Sequence, residues 1–191
     1  GEFLIDLKTQ NSYGALRADV SVSQWQIADL TNRLGLANLG SGDLTATVSF
    51  GAAVTRAAGL QQLSIKVDRT DGDLMLPYGN ELLSDLNIDL EYSVASDAVD
   101  IKTVNIETTR LSGNFAGSLT NVLSENALRH LELRSDEMRL NLQKLFTSEW
   151  NFRNVDLSAD LSDDFTIISF DRLRASVNDA TVQASGEFDW R

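Results

Sequence analysis

A chain of 191 residues, 42% hydrophobic and 23% charged, has the size for one large β domain or two small ones with a proper core. No apolar run approaches the roughly 18 residues that a membrane-spanning helix needs. The balance of 16 basic to 28 acidic residues, net −12, argues against nucleic acid and against unassisted docking on anionic lipid; the lack of cysteine removes disulfides, thiolate metal sites and cysteine catalysis.

The chain opens Gly-Glu-Phe, without Met, a basic leader or an apolar leader core, and reads as an excised fragment carrying a cloning scar, any targeting signal lying outside it. Phe3, Ile5 and Leu7 alternate as a first strand, and Thr9 to Gly14 reads as a turn. Leu16, Ala18, Val20 and Val22 alternate next. Ser23 and Gln26 then have the spacing of a capping box, and Ile27, Leu30 and Leu34 fall on one helical face that Gly35 would stop. A second alternating set follows in Leu44, Ala46, Val48 and Phe50. This strand–helix–strand unit is the pattern whose strands the rest of the chain repeats.

Gly51 to Gly59 is weakly patterned, a loop or a poor strand. Leu63, Ile65 and Val67 alternate before Asp71-Gly72, which has the chemistry of a tight hairpin turn, and Leu74 and Leu76 return to Pro77. Asn80 to Asp85 suits one helical turn ahead of a strong strand at Ile88, Leu90, Tyr92 and Val94. After a turn at Ser96-Asp97, Val99 and Ile101 are followed by Val104, Ile106 and Thr108 with the parity shifted, which predicts a bulge at Lys102 or Thr103.

Leu111 to Leu119 forms a glycine-rich strand. Asn121 to Asn126 breaks the pattern and is the only soft seam in what otherwise reads as a single unit, residues 1–191. Leu131 and Leu133 resume, and Met138, Leu140 and Leu142 lead into a second short helix through Phe146. The chain closes as a meander: Val155 to Leu161, a turn at Ser162 to Asp164, Phe165 to Phe170, Leu173 to Val177, a turn at Asn178-Asp179, then Val182 to Trp190. The count is about twelve to fourteen strands joined mainly by short turns, hence mainly antiparallel. The strings LRADVSV, LTATVSF, LNIDLEYSV and VDLSADLS resemble one another as a loose internal repetition.

Few residues look chemical. Asp68, Asp71 and Asp73 miss the calcium-loop spacing and read as turn residues. Asp160, Asp163 and Asp164 sit at a turn, where aspartate bonds its own backbone, and no metal is assigned to them. His130 is the only histidine, and no G-x-S-x-G accompanies it. Gly40-Ser41-Gly42 and Gly113 to Gly117 lack the lysine of a phosphate loop. Trp25, Trp150 and Trp190 suit packing better than sugar stacking. No catalytic residue, cofactor or metal is expected, and the chain does not read as an enzyme.

Three stretches carry a resemblance: ADLTNRLGLANLGSGDLTATVSF (28–50), LSIKVDRTDGDLMLP (63–77), and the region from LELRSDEMRLNLQKLF to FRNVDLSADLSDDFTIISFDRLRASVNDATVQASGEFDW (131–190). Together they cover about half of the chain, and none is a catalytic signature. They resemble the AsmA-like family of bridge-like envelope proteins, the group of TamB and YhdP, with the YhdP-like subgroup favoured. The resemblance implies a mainly β fold: a long twisted antiparallel sheet curled into a gutter, β-taco-like, with one or two short amphipathic helices. It further implies a periplasmic protein, anchored in the inner membrane at full length, that supports phospholipid transport toward the outer membrane. Its partners would be phospholipid acyl chains and, at both sheet ends, the rest of the same chain. The expected groove lining is the alternate apolar sets Leu44, Ala46, Val48, Phe50; Leu157, Ala159, Leu161; and Val182, Ala184, Phe188. The competing reading is a β-sandwich binding or adhesion module with a closed core, perhaps for glycan; a hydrolase on a β scaffold stands third.

Overall fold

The computed structural model describes residues 3–10, 15–26, 45–76, 79–124, 127–141, 149–162, 167–177 and 180–189. Every regular element among them is a strand: β1 Phe3–Gln10, β2 Ala15–Gln26, β3 Thr45–Thr55, β4 Gly59–Leu76, β5 Gly79–Ser93, β6 Ala98–Thr108, β7 Leu111–Thr120, β8 Arg129–Leu140, β9 Trp150–Leu161, β10 Ile167–Val177 and β11 Ala180–Asp189. All eleven lie in one antiparallel sheet in strict sequence order, so each pairs with its chain neighbours. The sheet is not closed into a barrel, and β1 and β11 are its two edges.

The period of two does the organising. One register row runs Ile5, Val20, Phe50, Ile65, Leu90, Ile101, Gly117, Leu133, Leu157, Leu173 and Ala184, apolar or glycine on every strand. The next runs Leu7, Ala18, Ala52, Leu63, Tyr92, Val99, Leu119, Leu131, Ala159, Phe170 and Gly186. Their described side chains share one face, because cross-strand partners point the same way. The row between them holds Asp19, Ser64, Glu91, Asp100, Ser118, Glu132 and Ser158 and belongs to the other face.

The sheet twists and curls with the apolar face inside. Apolar positions there are mostly buried or half-buried, while outward alternates such as Lys102, Asn114, Glu132, Arg134 and Arg174 are exposed. The tightest packing is at Ala46, Val48 and Val67, with Phe50 and Ile88 against them. Bulges assist the curl by adding a residue to one strand and steepening its twist. The shift between Ile101 and Val104 places one at Lys102-Thr103, where the parity break predicted it. Others lie between Val22 and Trp25 and between Phe170 and Arg172. In β9 the paired exposed residues Arg153 and Asn154, the latter at φ 51°, keep Trp150, Phe152, Val155, Leu157, Ala159 and Leu161 on the inner face despite the change of parity. Trp150 and Phe152 accordingly meet as a tilted pair, ring centroids 5.9 Å apart and planes at 38°.

Several expectations are corrected. Among the described residues there are eleven strands, because Leu131–Leu140 and Ile167–Val177 each form one bulged strand. Gly51 to Thr55 is the second half of β3. Ser23 to Gln26 is strand and extends β2, Trp25 standing opposite Ala46 and Gln26 opposite Thr45, so the start of β3 finds ladder partners. The rest of that expected helix, Ile27 to Gly35, and the second helix through Phe146 lie outside the described residues. Asp71-Gly72 does not turn. It runs inside the 18-residue β4, Asp71 opposite Thr45 and Gly72 opposite Leu83, because ladders on both sides satisfy a backbone that a turn would leave unpaired. Asn80 to Asp85 is likewise strand rather than helix, for the same reason.

At one end of the sheet a hydrogen-bond knot ties two connections together. Asp97, at φ 47°, accepts from the Tyr92 hydroxyl (3.0 Å), the Leu123 N–H (2.9 Å) and the Ser124 hydroxyl (2.5 Å). These bonds, that from Ser124 foremost, hold the Asp97 carboxyl below its ordinary pKa. A depressed folded-state pKa contributes stability that is present above the ordinary value, about 3.9, and is lost as pH falls through the folded value. Asp97→Asn keeps a residue suited to positive φ. It should lower the melting temperature at neutral pH, and the gap from the unsubstituted protein should close below the ordinary carboxylate pKa; a gap that persists there would show the charge to be irrelevant.

Candidate functional site

The inner face is the candidate site. Of the residues expected to line it, Ala46, Val48 and Phe50 on β3 and Leu157, Ala159 and Leu161 on β9 lie on it, as do Val182 and Ala184 on β11. Phe188 stands opposite Ile168 in the ladder, and Leu44 lies outside the described residues. Their accessibility differs. Val48 is 0% exposed, and Ala46, Ala159 and Leu161 are also buried; Phe50 and Leu157 are half-buried; Val182 is 42% exposed, and Ala184 is open as well. Sequence alternation missed Leu63 and Ile65 as lining, though both are on the same face and 39% and 36% exposed. Their own period of two was the available signal.

Among the described residues each strand packs extensively only on its ladder neighbours, so no second layer of strands faces the apolar surface. Such a surface exceeds what scattered exposed leucines would explain, since its apolar rows are continuous. Two glycines of β7 shape its middle. The Phe115 ring lies over Gly113, with ring carbons 3.0 Å from where a Cβ would stand, and at Gly117 the β8 backbone at Glu132–Leu133 fills the equivalent space.

The outer face is polar and cross-linked. Lys66 pairs with Asp89 at 2.7 Å and Lys102 with Glu91 at 2.5 Å, the latter bond raising the Lys102 pKa. A shallow depression of about 410 Å³ there is lined by Asn105, Glu107, Asn114, Glu137, Arg139 and Asn151 among others, and is too polar to take a hydrocarbon chain. Ser158, His130 and Asp160 stand in line, Ser158 Oγ 3.4 Å from His130 Nε2 and His130 Nδ1 2.8 Å from Asp160 Oδ1. The Ser158 contact is longer than the 2.6–3.2 Å or so of an activated nucleophile, and Ser158 is only 8% exposed. Among the described residues no helix is long and apolar enough to cross a membrane. No family model, curated protein or solved structure matches the chain significantly.

Proposed function

We propose that the curled sheet is a non-enzymatic segment of a periplasmic bridge-like protein of the AsmA-like kind, anchored in the inner membrane at full length, and that its inner face carries phospholipid acyl chains between the two membranes. One observation carries this reading: the apolar register rows run unbroken across all eleven strands of a single open sheet. A sandwich module would set a second sheet against that face, and among the described residues there is none. Acyl chains would complete the burial instead, each CH₂ removed from water contributing about 0.8 kcal/mol. Head groups would stay in water, so the site needs no polar pocket. The net charge of −12 disfavours docking of the chain on anionic surfaces.

The test uses photo-crosslinking residues at Ile65, Leu157 and Val182 in the full-length protein in cells, with the exposed outer position Lys102 as control. Lipid adducts are expected at the three inner positions and not at Lys102. Ile65→Asp and Val182→Asp, at positions more than a third exposed, should leave the fold intact and reduce lipid passage by interrupting the apolar track. Absence of adducts at all three inner positions would overturn the proposal.

A further inference from the structure

The outer face holds one cluster for which lipid passage has no use. His130 on β8 stands opposite Asp160 on β9, which in turn stands opposite Ser169 on β10. A regular ladder would therefore offer only a serine hydroxyl as the third neighbour. The register shift between Phe170 and Arg172 adds Asp171 to β10, and its carboxylate arrives at the same spot. One donor atom from each of His130, Asp160 and Asp171 now lies within 4.8 Å of the other two. The next residue, Arg172, is engaged by Asp156 at 3.2 Å. Among the described residues Asp171 makes no hydrogen bond or ion pair, and no Lys or Arg pairs with Asp160. Two carboxylates and the chain's only imidazole are held together without a cationic side chain between them.

We propose that His130, Asp160 and Asp171 bind one divalent transition-metal ion of the zinc class on the outer face, pinning β8, β9 and β10 together over the β10 bulge. An imidazole nitrogen with two carboxylate oxygens is a set that zinc accepts, whereas magnesium and calcium prefer oxygen ligands alone. Tetrahedral donors at zinc bonds of roughly 2.0–2.1 Å stand about 3.4 Å apart. Reaching that spacing needs side-chain movement on the order of 1 Å: His130 Nδ1 and Asp160 Oδ1, now 2.8 Å apart, must open, and the exposed Asp171 closes in by rotation about its side-chain bonds. Nδ1, on the Asp160 side, is the ligating nitrogen. Nε2 faces Ser158 Oγ at 3.4 Å and Glu132 Oε1 at 4.0 Å, the kind of partner to which a ligating histidine gives its remaining N–H. The fourth position is open to water.

Titration calorimetry of the metal-free chain with zinc chloride should find one equivalent bound and none with magnesium chloride. His130→Gln and Asp171→Asn should each weaken zinc by at least about tenfold. Zinc should also raise the melting temperature of the unsubstituted protein, and raise that of Asp171→Asn less at the same zinc concentration. If His130→Gln does not fold, Asp171→Asn, at an exposed position, decides alone. No zinc binding, or binding unchanged in the folded variants, would overturn the assignment, and either outcome leaves the lipid proposal standing.

Discussion

Val48→Asp should cost the fold on the order of 3–5 kcal/mol, the range for a buried charge left without a partner. Native stabilities of about 5–15 kcal/mol put most or all of the structure at risk from such a loss. Val48 is 0% exposed, packs with Ala46, Val67, Phe50 and Ile88, and stands between β2 and β4 opposite Val22 and Val67. Nothing in that set can accept a carboxylate or supply a proton to it. Val182→Asp, on the same face but 42% exposed, should shift the denaturation midpoint far less. A chemical denaturation series on the two variants measures this contrast directly. Equal, small shifts would mean that Val48 is open to solvent and that the tight packing at this end of the sheet does not persist in solution.

That contrast marks what alternation can and cannot convey. A period of two assigns Val48, Leu157 and Val182 to one face of the sheet, and the ladder places them there. It carries no depth: the buried Val48 and the open Val182 both alternate with polar neighbours, but Val48 lies on β3 with a strand on either side and Val182 on the edge strand β11. The bulge at Lys102-Thr103 was legible because the apolar parity visibly breaks between Ile101 and Val104. The Asp71-Gly72 turn was misread because turn chemistry is local, whereas the partners that hold β4 extended, Thr45 and Leu83, come from elsewhere in the chain. Ser23 and Gln26 misled in the same way, a local capping pattern overridden by pairing with β3. His130, Asp160 and Asp171 were illegible for a third reason. They meet only through the register of three strands plus one inserted residue, and no spacing along the chain encodes that.

Gly117→Val should break the middle of the sheet. Gly117 lies in the central apolar row, opposite Leu133 on β8 and Ile101 on β6. A Cβ at this position would collide with the Glu132 carbonyl oxygen, with the Glu132 carbonyl carbon only 2.8 Å away and the Leu133 Cα at 3.0 Å. Those atoms are backbone, held in the β7–β8 and β8–β9 ladders, so no rotamer change relieves the contact. Either β7 separates from β8 or both ladders shift, and each course sacrifices hydrogen bonds and the packing of Leu133 on Leu157. Overpacking relieved by side chains costs about 1–3 kcal/mol; a backbone collision should exceed that. Gly117→Ala should already show most of the loss, because the first carbon makes the collision. The neighbouring Ala116→Val adds volume to an exposed, outward-facing position and should stay within about 0.5 kcal/mol. Hydrogen exchange on the folded protein provides the local reading. Amides of β7 and β8 should lose protection in Gly117→Ala while those of β3 and β4 keep it, and unchanged protection across β7 and β8 would refute the close approach of the two strands.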